Sequence, residues 1–439
     1  MSDIVVSDDA RELSQGKDGK FSAVRKHLSN IFLNKDHTAT AADSSYQMRV
    51  LSVIAITFVV LGHINFYNEM EITLTEPLTL HGWFPYYSFH LPLFLFISGY
   101  FFKDLPRDRS FFRALLRFFV KKVWKLLVPY YLFSGLSLML NTWIHTQGFT
   151  FGDSFSLTEW LVGPWTKLYF ISFTTPVWYL TALFVAEMGF LLLRWLFRLV
   201  FRRSLLCELI LLVVTLATSV GAVYWNATET LPEVVVVYLR SAVMLFFMQV
   251  GVLYRRHLEK HDNLRSPWYF LIVLIAQFFL IIYSEDSSLS PGLYALVKFG
   301  KTGSVYFIGG LTGVLLWLRV SRILASPSHR SRLLTFAGKN TKMIMGLHVA
   351  SWFLFNTLLD HLYTRTSTLF LLNGFSSRWY HSFLYYCNTV NDKGANPRMI
   401  LMYYLVGMAL PLLVAGLLQL PFHGLRCLIR RIKKRREPI

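Results

Sequence analysis

Charge is what this chain has least of. Only 16% of its 439 residues are Asp, Glu, Lys or Arg, against about a quarter in a soluble domain, which excludes a water-soluble globular protein of this length. Cysteine is scarcer still. Cys207, Cys387 and Cys427 lie far apart, so neither a disulfide framework nor a cysteine metal centre is implied. Acidic residues number 25 against 44 basic ones, yet the cations do not suggest a nucleic-acid surface. They sit in short segments between apolar runs, the pattern expected of cytoplasmic membrane loops. Residues 1–48 are polar and mixed in charge, with no apolar core of a signal peptide.

Apolar residues make up 54% of the chain, and they recur in runs of about 20, the length that crosses a bilayer. The expected fold is therefore all-α, a polytopic integral membrane protein of about ten spans. Their approximate limits are 49–67, 84–102, 124–144, 177–197, 205–225, 234–254, 267–283, 303–319, 342–362 and 400–422. An N-terminal arm (1–48) precedes this domain (49–422), and a basic tail (423–439) follows it. The connections alternate in charge. The first holds Glu69, Glu71 and Glu76 without Lys or Arg, and the second runs from Lys103 through Arg113 and Arg117 to Lys125. Arg194, Arg198, Arg202 and Arg203 mark the fourth, Arg255 and Arg256 the sixth, and Arg319 to Lys342 the eighth. With every even-numbered connection basic, both termini are expected in the cytoplasm.

The first span, RVLSVIAITFVVLGH from Arg49 to His63, carries a cation at one end and an imidazole deep inside. As a helix it separates them by roughly 21 Å along the axis and returns them to nearly one face. His63 then lies roughly 6 Å, and His90 in the next span roughly 9 Å, below the outer boundary. Two imidazoles at similar depth can exchange protons, bind a metal or share a polar pocket. A metal is the weakest of these, because no further ligands stand at suitable spacing. Against this, Arg49 can simply mark the membrane boundary, and His63 can bond a neighbouring helix.

Other polar residues within spans have plain readings too. Ser98 and Gly99 allow close helix packing, as does GGLTG at 309–313. Trp178 belongs to the aromatic belt expected at an interface. Glu187 and Arg240 lie inside spans, where a charge needs a partner or a function. His348 is either a ligand or a satisfied packing residue.

VVLGH in span 1, FHLPLFLFISGYFF in span 2 and KKVWKLLVPYYLFS entering span 3 resemble the membrane acyltransferase-3 family. So do PVWYLTALF at Pro176–Phe184 and GKNTKMIMGLH at Gly338–His348, in the same order along 49–422. The chain departs from the family pattern at Ser52, where a basic residue usually stands; Arg49 lies one turn earlier on about the same face.

The resemblance implies an O-acyltransferase that moves an acyl group, most often acetyl, from acyl-CoA to a hydroxyl of a sugar or envelope polysaccharide. It implies the bacterial cytoplasmic (inner) membrane, membrane lipids as surroundings, and no nucleic acid or metal. His63 would be the general base, with His90 orienting it, relaying the proton or holding the acceptor. Arg49, Lys121, Lys122, Lys125 and His348 would bind the donor, with Lys339 beside them. Trp178, Glu187, Arg240, Ser98 and Tyr100 would serve the substrate, the last two and Arg240 as candidate oxyanion donors. The alternative is a transporter or flippase for a polysaccharide or lipid-linked sugar, which would also need intramembrane polar groups; no internal repeat of the transporter kind is visible.

Overall fold

The computed structural model describes residues 41–66, 83–106, 110–146, 152–168, 173–201, 204–283, 293, 296, 304–325, 330–365, 387, 390–391, 394–395 and 397–436. The first connection, most of the arm and most of the loop 363–399 lie outside the described residues. Among those described, nine helical stretches are long and apolar enough to cross a membrane. The remaining expected span is helical too, but short.

Helix α1 runs Ala41–Phe66, starting inside the expected arm. Its polar first turns are helical because they have internal partners. Gln47 Nε2 donates to the Leu318 carbonyl at 3.1 Å, and Ser44 Oγ to Glu259 Oε1 at 2.7 Å. Helix α2, Tyr86–Tyr100, has fifteen residues, most of them buried. At roughly 22 Å it is shorter than the ~30 Å hydrocarbon layer, so it survives as an inner element packed against α1 rather than as a lipid-facing span.

Helix α3 (Phe111–Lys122) passes through a widened turn, Val123–Leu127, into α4 (Val128–His145). Pro129 has no N–H to give the Lys125 carbonyl one turn back. That carbonyl accepts instead from Lys342 Nζ at 2.7 Å. Next come α5 (Leu157–Thr166), α6 (Trp178–Val200), α7 (Leu205–Thr228) and α8 (Glu233–Leu253). Helix α8 is the inner post of the bundle, packed against α2, α6 and α7. Its crossing with α2 is a backbone contact: a Cβ on Gly99 would lie 1.9 Å from the Met248 carbonyl, and one on Gly251 2.1 Å from that of Phe96. Any larger residue at either position would push the two helices apart.

Helix α9 (Ser266–Tyr283) is peripheral, and α10 (Ser304–Leu324) packs on α1 and α2. Helix α11 (Arg332–Lys339) is capped by Ser331 Oγ, which accepts from the Leu334 N–H at 3.2 Å. Asn340 breaks it from α12 (Thr341–Arg365). A two-residue strand pair, Val390–Asn391 with Gly394–Ala395, precedes α13 (Pro397–Arg436), so the expected basic tail continues the last span as helix.

Several arginines assigned to basic connections are internal. Arg194 is 1% exposed. It bonds Asp104 Oδ1 at 2.8 Å, Glu208 Oε1 at 2.9 Å and Oε2 at 2.8 Å, and Gln249 Oε1 at 2.7 Å. Arg256 joins the same two acids at 2.6 and 2.7 Å, and Arg198 lies 3.3 Å from Asp104. Burial pushes the Asp104 carboxyl up, but the bonds and charges of Arg194 and Arg256 outweigh it and hold the group at about 2. A second cluster pairs Asp262 with Arg319 and Arg322. Loop charge alone does not reveal such pairs, because a helix that runs past the apolar stretch carries its arginines back into the protein.

Candidate functional site

His63 and His348 meet where α1 crosses α12. His348 Nε2 lies 3.0 Å from His63 Nδ1, and the rings stack at 5.0 Å. The hydrogen positions follow from the partners. A carbonyl only accepts, so His348 Nδ1–H donates to the Ile344 carbonyl at 2.8 Å. In the neutral ring this leaves His348 Nε2 as an acceptor, and His63 must donate to it through Nδ1–H. The lone pair of His63 is then on Nε2. This two-step chain from a helix carbonyl through one imidazole sets the tautomer of the other, together with the hydrogen bond that His63 makes to the Val59 backbone.

Burial separates the two rings. His348 is 0% exposed and covered by Trp352, whose ring stands edge-on at 5.1 Å and whose Nε1 donates to the Tyr403 carbonyl at 2.8 Å. His63 is only partly buried, so it is the accessible member of the pair. His90 sits close by on α2, buried, with Nδ1–H donating to the Tyr86 carbonyl at 2.6 Å. Tyr87 links the two helices: its ring stands edge-on to His90 at 5.1 Å, and its hydroxyl donates to the Gly62 carbonyl at 3.2 Å. Among the described residues, no group of three or more His, Cys, Asp and Glu is placed to hold a metal ion.

Of the expected donor residues, Lys121, Lys122 and Lys125 gather around Glu187, where α3 meets α6 and α12, whereas Arg49 and Lys339 are on α1 and α11. Lys122 pairs with the buried Glu187 at 2.5 Å, with Lys121 and Lys125 near the same carboxylate. Lys342 adds a further cation through its bond to Lys125. The backbone of Arg49 touches Gly338, where a Cβ would lie 2.7 Å from the Arg49 carbonyl. Lys339 is exposed on α11. Lys342 stands six residues before His348, roughly 9 Å along α12. Sequence reading passed it over, although it lies within the GKNTK motif.

Arg240 and Trp178 also come together. The guanidinium lies 4.8 Å from the indole ring and donates to the Leu168 carbonyl. Both line a cavity of about 10 Å³, room for about one water, with Tyr130, Ser134, Thr174 and Thr181 around it. Hydroxyls, an indole face and a cation form a polar lining, but the space between them holds a water and not a sugar ring.

Three expected substrate residues lie apart from the histidines or are engaged elsewhere. Glu187 is the partner of Lys122. Ser98 lies half-buried beside the Gly99 crossing. Tyr100, ten residues and roughly 15 Å along α2 from His90, donates to Glu259 Oε1 at 2.6 Å and lies under Arg255 at 4.6 Å. His348, expected among the donor ligands, has both ring nitrogens committed to Ile344 and His63.

A family model described as an acyltransferase domain matches residues 46–420. No curated protein and no solved structure matches the chain. The matched range takes in nearly the whole described bundle, and the chain belongs to this acyltransferase domain family.

Proposed function

From a member of the acyltransferase domain family with a partly buried histidine inside its helices, we propose a membrane O-acyltransferase that uses acyl-CoA, most simply acetyl-CoA, to acylate a sugar hydroxyl of an envelope polysaccharide. The observation that carries this reading is the His63–His348 pair: one sealed ring, one accessible ring, and the lone pair of the accessible one at Nε2. An alcohol is a weak nucleophile and needs a base beside it to attack a thioester. His63 Nε2 takes the hydroxyl proton as the oxygen attacks the thioester carbonyl. The tetrahedral oxyanion then collapses, the C–S bond breaks, and the imidazolium returns the proton to the departing CoA thiolate. His348 is a positioning residue that holds His63 in this tautomer. His90, beside the pair, steers the acceptor or relays the proton.

The lysines around Glu187, with Arg49, offer a donor site for the phosphates of the nucleotide. The acyl arm would reach from there toward the histidines. The hydroxyls, indole and cation around Trp178 and Arg240 have the chemistry to bind a sugar, and the acceptor would have to widen the water-sized space between them. The same reading places the protein in a bacterial cytoplasmic membrane, with both termini inside.

The test is purified protein with acetyl-CoA and candidate polysaccharides, followed by CoA thiol release and acyl incorporation. Parent protein should release thiol and label the acceptor, and His63→Ala should do neither. Movement of the acceptor into proteoliposomes without thiol release would favour a transporter instead.

A further inference from the structure

Helix α3 has three sides, and only one of them faces the protein. Phe111 packs on Trp195 at 4.5 Å, Phe118 on Phe102 at 5.9 Å, and Lys122 reaches Glu187. The rest of the helix is open, and none of its residues is fully buried. Phe119, Phe112, Leu116 and Val120 form an exposed apolar sector roughly 100° wide, and Arg113, Arg117 and Lys121 continue it as a basic sector roughly 80° wide.

Two further observations say what lies against these sectors. The stretch Phe111–His145 is 35 residues long, roughly 52 Å as helix, whereas the hydrocarbon layer is ~30 Å. That leaves roughly 22 Å outside the core, and the cations Arg113, Arg117 and Lys121 put the first turns, rather than the last, at an interface. Four other arginines from the basic segments are neutralised internally: Arg194 and Arg256 by Asp104 and Glu208, Arg319 and Arg322 by Asp262. Among the described residues Arg113 and Arg117 have no carboxylate partner, and Lys121 shares Glu187 with Lys122 and Lys125. No carboxylate among the described residues supplies the counter-charge of the two arginines.

We infer that α3 is an interfacial helix that binds anionic phospholipid headgroups, its apolar sector in the acyl-chain boundary and its cations on the phosphates. The inference does not depend on acyl transfer or on which hydroxyl is acylated. It makes this helix, and through Lys122 the approach to Glu187, sensitive to lipid charge.

The test uses the full chain in nanodiscs of equimolar phosphatidylglycerol and phosphatidylcholine, extracted into mild detergent, with the retained lipid measured by native mass spectrometry. The parent should retain phosphatidylglycerol preferentially. R113Q/R117Q should lower the retained glycerol-to-choline ratio several-fold, since each cation near an anionic surface favours it by roughly fivefold. Arg117→Gln alone should give an intermediate ratio, which keeps the test informative if the double variant folds poorly. Equal ratios in parent and variants would mean bulk lipid only and overturn the inference. Displacement of phosphatidylglycerol by micromolar acetyl-CoA would also overturn it, giving the basic sector to the nucleotide.

Discussion

Asp104 and Glu208 are met by Arg194, Arg198, Arg256 and Gln249, so that each charge taken out of water has opposite charge or a donor against it. His63 is met by a second neutral imidazole, itself tied to a helix carbonyl. The first arrangement is worth keeping only if every member stays charged; losing one leaves an uncompensated ion in a low dielectric. The second fixes a ring and its tautomer with neutral groups, leaving the lone pair of His63 Nε2 to take up a proton and give it back. Buried ionisable groups thus separate into a closed set that holds helices together and an open set that can do chemistry.

That contrast is broken or sharpened by variants on each side. Arg194→Ala leaves two buried carboxylates facing too little positive charge, and a loss of roughly 3–5 kcal/mol of stability is expected. Thermal unfolding in detergent measures it, and the fraction that folds should keep the parent turnover. Normal folding with lost turnover would move this cluster into the reaction. His348→Ala should lower kcat by roughly 10- to 100-fold while leaving the apparent KM for acetyl-CoA unchanged. His348→Gln, which can still accept from His63, should recover part of the rate. An unchanged kcat in His348→Ala would show that the tautomer needs no such support.

A pH titration gives the next effect. Asp104 is depressed from its ordinary value to about 2 in the folded protein. Its contribution is therefore complete above about pH 4 and is lost as pH falls toward 2, on the order of 2 kcal/mol. The melting temperature of the parent should fall across that window. The drop should be smaller in Asp104→Asn, which has no proton to take up there. The smallest expected effect is at the donor site: Arg49→Ala should weaken acetyl-CoA binding by roughly tenfold and flatten its salt dependence. Equal affinity for parent and variant would reduce Arg49 to a boundary residue.

What could be read beforehand was local. Runs of about 20 apolar residues mark helices wherever they fall, and the depth of His63 and His90 follows from counting residues along them. The Gly99 contact was legible as well, because a small residue in an apolar helix has few other uses. Which histidine touches His63 was not legible. Spacing on one helix fixes depth and face, but the crossing of α1 with α12 depends on packing across the bundle, and it brought His348 rather than His90 into hydrogen-bond range. The Asp104 cluster was missed for a different reason. Glu208 was a lone acid at the start of an apolar run, and Arg194 looked like the first charge of a loop. Lys342 was hidden in the same way, within a run of basic residues that looked like topology alone.

The central claim is that His63 works through its basicity, and His63→Gln tests it most directly. Glutamine keeps a hydrogen-bonding side chain of similar reach but has no basic nitrogen. With the protein folded and acetyl-CoA bound as in the parent, acyl transfer should fall by roughly 10²–10⁴-fold, close to the loss in His63→Ala. Turnover near the parent level in His63→Gln would contradict the account and leave His63 a binding or packing residue.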